Sequence, residues 1–294
     1  MKSMICLDLD QTLWWEEKIP ASALIAIKLA VQNGHLVFAN TGRSRSSAWP
    51  SLEGLPFSGQ IYSAGTEIWL DGKRIFFQPI GKERLHRIVD HFQGTAVGIC
   101  IEGSEKTFSN QKCRDLFANV EKRKQGQKFF YSSVPDLSEM SAEDYGDGMK
   151  ISLVDILPGS IDDLLEAEGM TFTAFPFQDE DELINGEMTQ KAYDKGRAFR
   201  IIEDILGQEY RTIAFGDSEN DLSMFRHADI AVAMGNGAPA AKAAADLVTD
   251  SVLDNGLFHA FINLGLLDEN TRLEDYLDEP IDPVPTAQLN QKTK

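Results

Sequence analysis

The amino-acid sequence predicts an α/β fold: a parallel sheet wound by alternating strands and helices, interrupted by an inserted α+β segment. Short apolar runs alternate with segments of helical period before residue 80 and again after residue 195. Between about 80 and 190 that alternation gives way to one helix followed by several strands. Strand-helix-strand order requires parallel pairing through right-handed crossovers. With 294 residues, 43% apolar and 25% charged, the chain has the composition of a soluble globular protein and the length for one large or two moderate domains.

The first strand is the run from Met4 to Leu9, oily on both faces until Asp8. "IPASALIAIKLAVQNG" follows as a helix, with Leu24, Ile27 and Val31 at helical spacing, Pro20 suited to its first turn and Gly34 to its stop. Leu36 to Ala39 form the second strand, which runs straight into Thr41-Gly42-Arg43. "GQIYSAG" supplies a third strand, and "EIWLDGKRIFF" reads as a hairpin around Asp71-Gly72. The insertion begins with the helix "KERLHRIVDHF" and continues through strands in "AVGICIEG", "MKISLVDI" and "MTFTAFPF". Alternation then resumes. "KGRAFRIIEDILG" is a helix with Phe199, Ile202 and Leu206 on one side, "RTIAFGD" a strand ending in Asp217, "SENDLSMF" a helix start and "DIAVAMG" a strand, and "APAAKAAA" and "DLVTD" continue the order. The expected organisation is a core of residues 1–79 and 190–268, an insertion over 80–189, and an acidic, proline-containing tail over 269–294 that is mobile or peripherally docked.

Charge and composition narrow the function classes. A formal charge of −18 argues against nucleic acid as a partner, because phosphate-backbone binding needs a clustered basic surface. Cys6, Cys100 and Cys113 are odd in number and widely spaced, giving neither a disulfide framework nor a zinc pattern, so a reducing, cytoplasmic setting is expected. No stretch reaches the uncharged length of a membrane helix. Within the insertion, residues 82–128 carry ten Lys or Arg against six acids, and 162–187 carry nine acids and no base. Two solvated helix faces of opposite sign account for this, with a basic lip over an anionic substrate as the sharper alternative.

In open α/β sheets ligands bind at the carboxyl ends of the strands. Three polar clusters fall there: Asp8-Asp10-Thr12, Thr41-Gly42-Arg43 and Asp217-Asn220-Asp221. Asp8 and Asp10 stand two apart on a strand and share a face. Asp217 and Asp221 stand four apart at a helix start, which Ser218 or Asp217 can cap. Four carboxylates in one crevice repel unless a cation sits among them, and a few hard oxygen ligands suit magnesium, which keeps water and shares phosphate oxygens. Taken singly the signals are ordinary: Asp8 and Asp10 fit a strand-to-turn cap, Thr41-Gly42 a loop start, Lys195 a surface lysine at a helix start. A calcium EF-hand loop fails, since Leu13 and Ile19 stand where Gly and Glu are needed. "GDSENDLSMF" resists the ordinary reading, because a structural cap needs one polar residue and this stretch has five in a row.

With "DLDQT", "TGRS", Lys195-Gly196 in "DKGRA", "GDSEND" and the late run "AVAMGNGAPAAKAAADLVTDSVLDNGL" in that order, the chain resembles the haloacid dehalogenase (HAD) superfamily of phosphatases. More narrowly it resembles the Cof-type branch, whose Rossmann-like core carries a large C2-type cap between the second and third motifs. The resemblance implies a Mg2+-dependent phosphomonoester hydrolase with an aspartyl-phosphate intermediate, acting on a sugar phosphate or similar small phosphorylated metabolite. It makes Asp8 the nucleophile and Asp10 the general acid and base. Asp8, the backbone carbonyl of Asp10 and Asp217 would hold the metal, with Asp221 beside it or on it. Thr41, the Gly42 amide, Lys195 and Asn220 would hold the phosphoryl oxygens. Gln11 departs from the family's usual glycine, "SAGTEI" from its usual Asn-Gly-Ala run, and Trp14-Trp15 are unusually bulky, which bears on the substrate. The alternatives are a phosphohexomutase of related cap type and a non-catalytic phosphosugar-binding protein. A dehydrogenase reading of "GNGAPA", with Asp254 downstream, needs a further strand-helix series for which little chain remains.

Overall fold

The structure, a computed structural model, describes residues 2–16, 18–123, 133–175 and 183–277. The part of the acidic tail beyond 277, the end of the insertion's basic stretch with the residues after it (124–132), and the middle of its acidic stretch (176–182) lie outside the described residues. In chain order the strands are β1 (Ser3–Leu7), β2 (Leu36–Asn40), β3 (Gly59–Tyr62), β4 (Glu67–Leu70), β5 (Lys73–Phe77), β6 (Gly98–Gly103), β7 (Thr107–Ser109), β8 (Gly148–Ile156), β9 (Met170–Ala174), β10 (Ile184–Gln190), β11 (Arg211–Gly216), β12 (Ile230–Ala233) and β13 (Leu247–Val248). Two units result. One comprises Met1–Gly42, Ser51–Phe77 and Asp194–Lys294, the other Arg43–Pro50 and Gln78–Tyr193.

The first unit holds an eight-stranded sheet in the order β13-β12-β11-β1-β2-β3-β4-β5. Its strands from β13 to β3 run parallel, and β3-β4-β5 close one edge as an antiparallel meander. β1 lies inside the sheet, so all five of its residues are buried, and its alternate side chains supply two cores. Met4 and Cys6 pack with Phe38, Ala214 and Met224, and with Phe199 and Ile202 of the helix Arg197–Leu206. On the other side the helix Ala21–Gln32 packs against the helix Gly256–Asn263, whose Phe261 meets Phe215 at 5.5 Å between ring centroids. Each such fully buried apolar side chain contributes about 1.5–3 kcal/mol.

Two expectations need correction, and one element was not predicted. The first strand ends at Leu7, because the chain turns at Leu9, whose carbonyl accepts the amides of Leu13 and Trp14. Leu206 does not join Phe199 and Ile202 in the core: it is 36% exposed, at the last residue of its helix, where Gly207 turns the chain away. A helix over Arg45–Leu52 follows the Thr41-Gly42 turn, and Pro50 inside it hides it from pattern reading.

The second unit holds a five-stranded antiparallel sheet, β7-β6-β8-β10-β9. Along the middle of its strands the faces alternate, with register shifts near Glu102 and Ile184. Ile99, Ile101, Ile151, Leu153 and Met188 pack on Leu85, Ile88 and Val89 of the helix Lys82–His91. Cys100, Glu102, Lys150, Ser152 and Glu187 occupy the intervening positions. There Lys150 Nζ lies 2.5 Å from Glu187 Oε1 and 3.5 Å from Glu102 Oε1, while Ser44 and Ser152 donate to the two oxygens of Glu102 at 3.0 and 2.8 Å. Burial disfavours the Lys150 charge, but the two glutamates outweigh it and hold its pKa up at about 12. Among the described residues no helix is long and apolar enough to cross a membrane, and Cys6, Cys100 and Cys113 are all buried and free.

Replacing Lys150 by Met leaves the fully buried Glu102 without its cation. This should destabilise the second unit by about 3–5 kcal/mol, read from denaturant unfolding; adding Glu102→Gln should recover part of the loss. Unchanged stability of Lys150→Met would show that the ion cluster contributes nothing.

Candidate active site

Parallel pairing decides where the carboxylates go. Leu7 of β1 is in register with Phe215 of β11, and the Asp8 amide donates to the Phe215 carbonyl at 3.0 Å, so Asp8 and Asp217 leave adjacent strand ends together. After Asp217 the chain makes one tight turn over Glu219–Asp221, and Asp221 folds back, its Oδ2 accepting the amides of Asp217 at 2.9 Å and Ser218 at 3.2 Å. A Cβ on Gly216 would lie 2.5 Å from the Asp221 carboxylate, so only glycine permits this approach. Asp8, Asp217 and Asp221 each present a carboxylate oxygen within 4.8 Å of the others, and all three residues are buried.

The opposing charge comes from far along the chain. Lys195 Nζ lies 2.5 Å from Asp8 Oδ1, 2.7 Å from Asp221 Oδ1 and 3.5 Å from Asn220 Oδ1. Its position is built twice over. The Asp194 carboxylate accepts the Gly196 and Arg197 amides at 2.8 and 2.9 Å, capping the following helix, and the buried Asn40 donates Nδ2 to the Lys195 carbonyl at 2.9 Å.

One lysine faces three carboxylates. Burial, then the Asp221 charge, push the Asp8 carboxyl well above the usual range against the pull of Lys195. The same two causes lift Asp217 from an ordinary 3.8 to about 7, with Lys195 and the Thr12 hydroxyl, 3.3 Å away, opposing. The Lys195 ammonium is disfavoured by burial, but Asp221 and Asp8 more than offset this and raise its pKa. The cluster is short of positive charge. Asp8 and Asp217 therefore fit a small divalent cation, whereas Asp221 already spends one oxygen on Lys195 and the other on two amides, and suits a place behind the ligands.

A profile of haloacid dehalogenase-like hydrolases matches residues 5–261, which takes in every residue of this cluster. The chain belongs to that family. It is 26% identical over 275 residues to "Putative phosphatase YkrA" of Bacillus subtilis, covering 90% of this chain and 98% of YkrA. A "Putative bifunctional phosphatase/peptidyl-prolyl cis-trans isomerase" of Streptococcus pyogenes is 26% identical over 274 residues, and there the match covers 90% of this chain but 54% of the longer relative. In fold it is similar to the solved HAD subclass IIB sugar phosphatase BT4131, with a TM-score of 0.69 at 23% identity over 91% of this chain and 100% of that one.

In this HAD-like hydrolase the residues singled out from sequence do not all converge. Asp8, Asp217, Asp221 and Lys195 meet, with the exposed Asn220 at their edge. The Asp10 side chain stands outside the three-carboxylate group, with Oδ1 accepting the Trp14 indole N–H at 3.0 Å. Thr41 is buried, its amide donating to the Ile61 carbonyl and its carbonyl accepting the Ala64 amide at 3.0 Å. Gly42 has open space where a side chain would stand. The "GNGAPA" loop is no nucleotide cradle: the Ala238 amide donates to the Asp217 carbonyl at 2.7 Å, Asn236 bonds the Gln11 carbonyl and the Val252 amide, and among the described residues only the two-residue β13 joins the sheet afterwards.

Pattern reading missed Asn40 as the residue that holds Lys195. Its signal was a polar residue ending an apolar strand. The departures from the family pattern carry backbone strain: Gln11 sits at φ 60°, and Ser63 and Ala64 at 48° and 55°, all in the left-handed region.

Gln11→Gly should relieve that strain and raise the unfolding free energy by about 0.5–1 kcal/mol net of glycine's entropy; a lowered midpoint in urea would contradict it. The raised Asp217 pKa also sets a pH dependence. Its stabilising contribution is complete below the ordinary 3.8 and is lost as pH rises through about 7. In EDTA, Tm should therefore fall between about pH 5 and pH 8, and a Tm that rises over that interval would refute the assignment.

Proposed function

We propose that the protein is a Mg2+-dependent phosphomonoester hydrolase that works through an aspartyl phosphate, on a sugar phosphate or similar small phosphorylated metabolite. The observation that carries this reading is the buried Asp8–Lys195–Asp221 triad beside Asp217 at adjacent parallel strand ends. The relative YkrA, named a putative phosphatase, and a fold neighbour named a sugar phosphatase support it.

Lys195 serves two ends. It steadies the Asp8 carboxylate as a nucleophile, and it offsets the charge of an incoming phosphoryl group. Asp8 attacks phosphorus and the ester oxygen departs with a proton from Asp10. Water then attacks the phosphorylated Asp8, giving its proton back to Asp10. Thr41, the Gly42 amide and Asn220 hold the phosphoryl oxygens beside Lys195. Asp8, the Asp10 carbonyl and Asp217 would hold Mg2+, which supplies charge neutralisation at the transferred group, with Asp221 keeping Lys195 in place. The 80–189 insertion acts as the substrate-selecting cap, and three free cysteines accord with a cytoplasmic setting.

Asp8→Asn should abolish phosphate release from phosphomonoesters while leaving circular dichroism and Tm intact or improved, since it removes one charge from a repelling cluster. Residual turnover above about one per cent of wild type would exclude the covalent route. EDTA should inactivate the protein and Mg2+ restore it, whereas Ca2+ should bind without supporting turnover, its looser coordination misplacing the phosphoryl group. Full activity in chelated buffer would overturn the metal assignment.

A further inference from the structure

Between the strand end and the first helix the chain closes a small turn, of which the mechanism above uses Asp10 but neither Gln11 nor Trp14. The amides of Leu13 and Trp14 donate to the Leu9 carbonyl at 2.9 and 3.1 Å, and the Gln11 amide donates to the Trp14 carbonyl at 2.9 Å. Gln11 holds the left-handed conformation this turn demands, and Asn236 Nδ2 ties down its carbonyl at 2.7 Å. The result brings Trp14 back beside Asp10. Trp14 is 1% exposed, while its neighbour Trp15 is 36% exposed and Asp10 itself is exposed. A buried indole needs an acceptor for its N–H, and this one is the Asp10 carboxylate, Nε1 to Oδ1 at 3.0 Å.

We propose that Trp14 is a positioning residue for Asp10, its buried indole fixing which carboxylate oxygen carries the transferred proton. Indole N–H is a donor only, so Oδ1 acts as acceptor in both protonation states and the proton resides on Oδ2. A buried, rigid donor restricts the rotamers of an exposed aspartate before the substrate arrives. This rests on the phosphatase reading. In the first step the Asp8–phosphorus bond forms, the ester P–O bond breaks with its electron pair on the ester oxygen, and that oxygen takes the proton from Asp10 Oδ2. In the second, a water oxygen bonds phosphorus, its proton passes to Oδ2, and the Asp8–phosphorus bond breaks to release phosphate.

The test separates positioning from packing through the leaving group. An alkyl alkoxide needs the proton, whereas 2,4-dinitrophenolate leaves without it. Trp14→Phe should lower kcat/KM for an alkyl phosphomonoester such as β-glycerophosphate roughly 10- to 100-fold, and that for 2,4-dinitrophenyl phosphate less than about threefold. In an Asp10→Ala background the Trp14 substitution should have no further effect on the alkyl ester. Benzothienylalanine at position 14, which keeps the ring's shape and lacks only the N–H, should reproduce the Trp14→Phe pattern, and it guards against a folding defect in that variant. Equal losses on both esters, or a loss that persists without Asp10, would overturn the proposal. Wild-type protein inert toward both esters in Mg2+ would overturn the phosphatase reading itself, an outcome distinct from any difference between variants.

Discussion

The site of this hydrolase depends on one buried ammonium group. Lys195 reaches Asp8 and Asp221 at 2.5 and 2.7 Å, from side chains that are almost entirely out of water. Removing the lysine would strand two buried acids at a cost on the order of 3–5 kcal/mol, so the geometry of the first strand end, the turn after β11 and the helix that begins beyond Lys195 are locked to one another. The lysine nonetheless leaves the cluster short of positive charge. The raised Asp8 and Asp217 pKa values express that deficit in protons.

The groups that place Lys195 are polar, and Asn40 and Asp221 among them are buried. Asn40 holds its carbonyl, Asp194 caps the turn on which it rides, and the Asp221 carboxylate is braced by two amides of its own loop. Each of these bonds satisfies a group that would otherwise be expensive to bury, so the network stabilises the fold and orients the site through the same contacts. The left-handed Gln11, Ser63 and Ala64 lie in the loops that follow β1 and β3, next to Asp10 and to the backbone of Thr41. Strain concentrated in loops that carry chemistry is the pattern expected where surrounding packing over-determines the backbone.

The five-stranded sheet repeats the device with different partners. Its apolar positions bury against a helix, and among its alternate positions Lys150 answers Glu102 and Glu187 as Lys195 answers Asp8 and Asp221. The segment after Gly42 joins this unit through Ser44, which donates to Glu102, and Ser46, which donates to the Gly103 carbonyl. The Thr41-Gly42 turn is thus where the chain passes from one unit to the other.

Much of this was legible in the sequence. The apolar runs that end in Asp8, Thr41 and Asp217 state a parallel sheet with polar strand ends, because strand period and strand-end chemistry are local properties. The clustering of Asp8, Lys195, Asp217 and Asp221 could be inferred from the order of motifs, since parallel strands place their ends on one edge of a sheet. Other features had no local signature. Asn40 looks like a strand residue until the Lys195 carbonyl, 155 positions away, is set against it. Trp14 reads as an oversized apolar residue until the turn delivers its N–H to Asp10. Leu206 fits the apolar side of its helix, yet among the described residues it stays 36% exposed. Sequence alone determines period, polarity and motif order; which polar atom meets which is decided by tertiary packing, because a hydrogen bond depends on distances of tenths of an ångström between residues the chain keeps far apart.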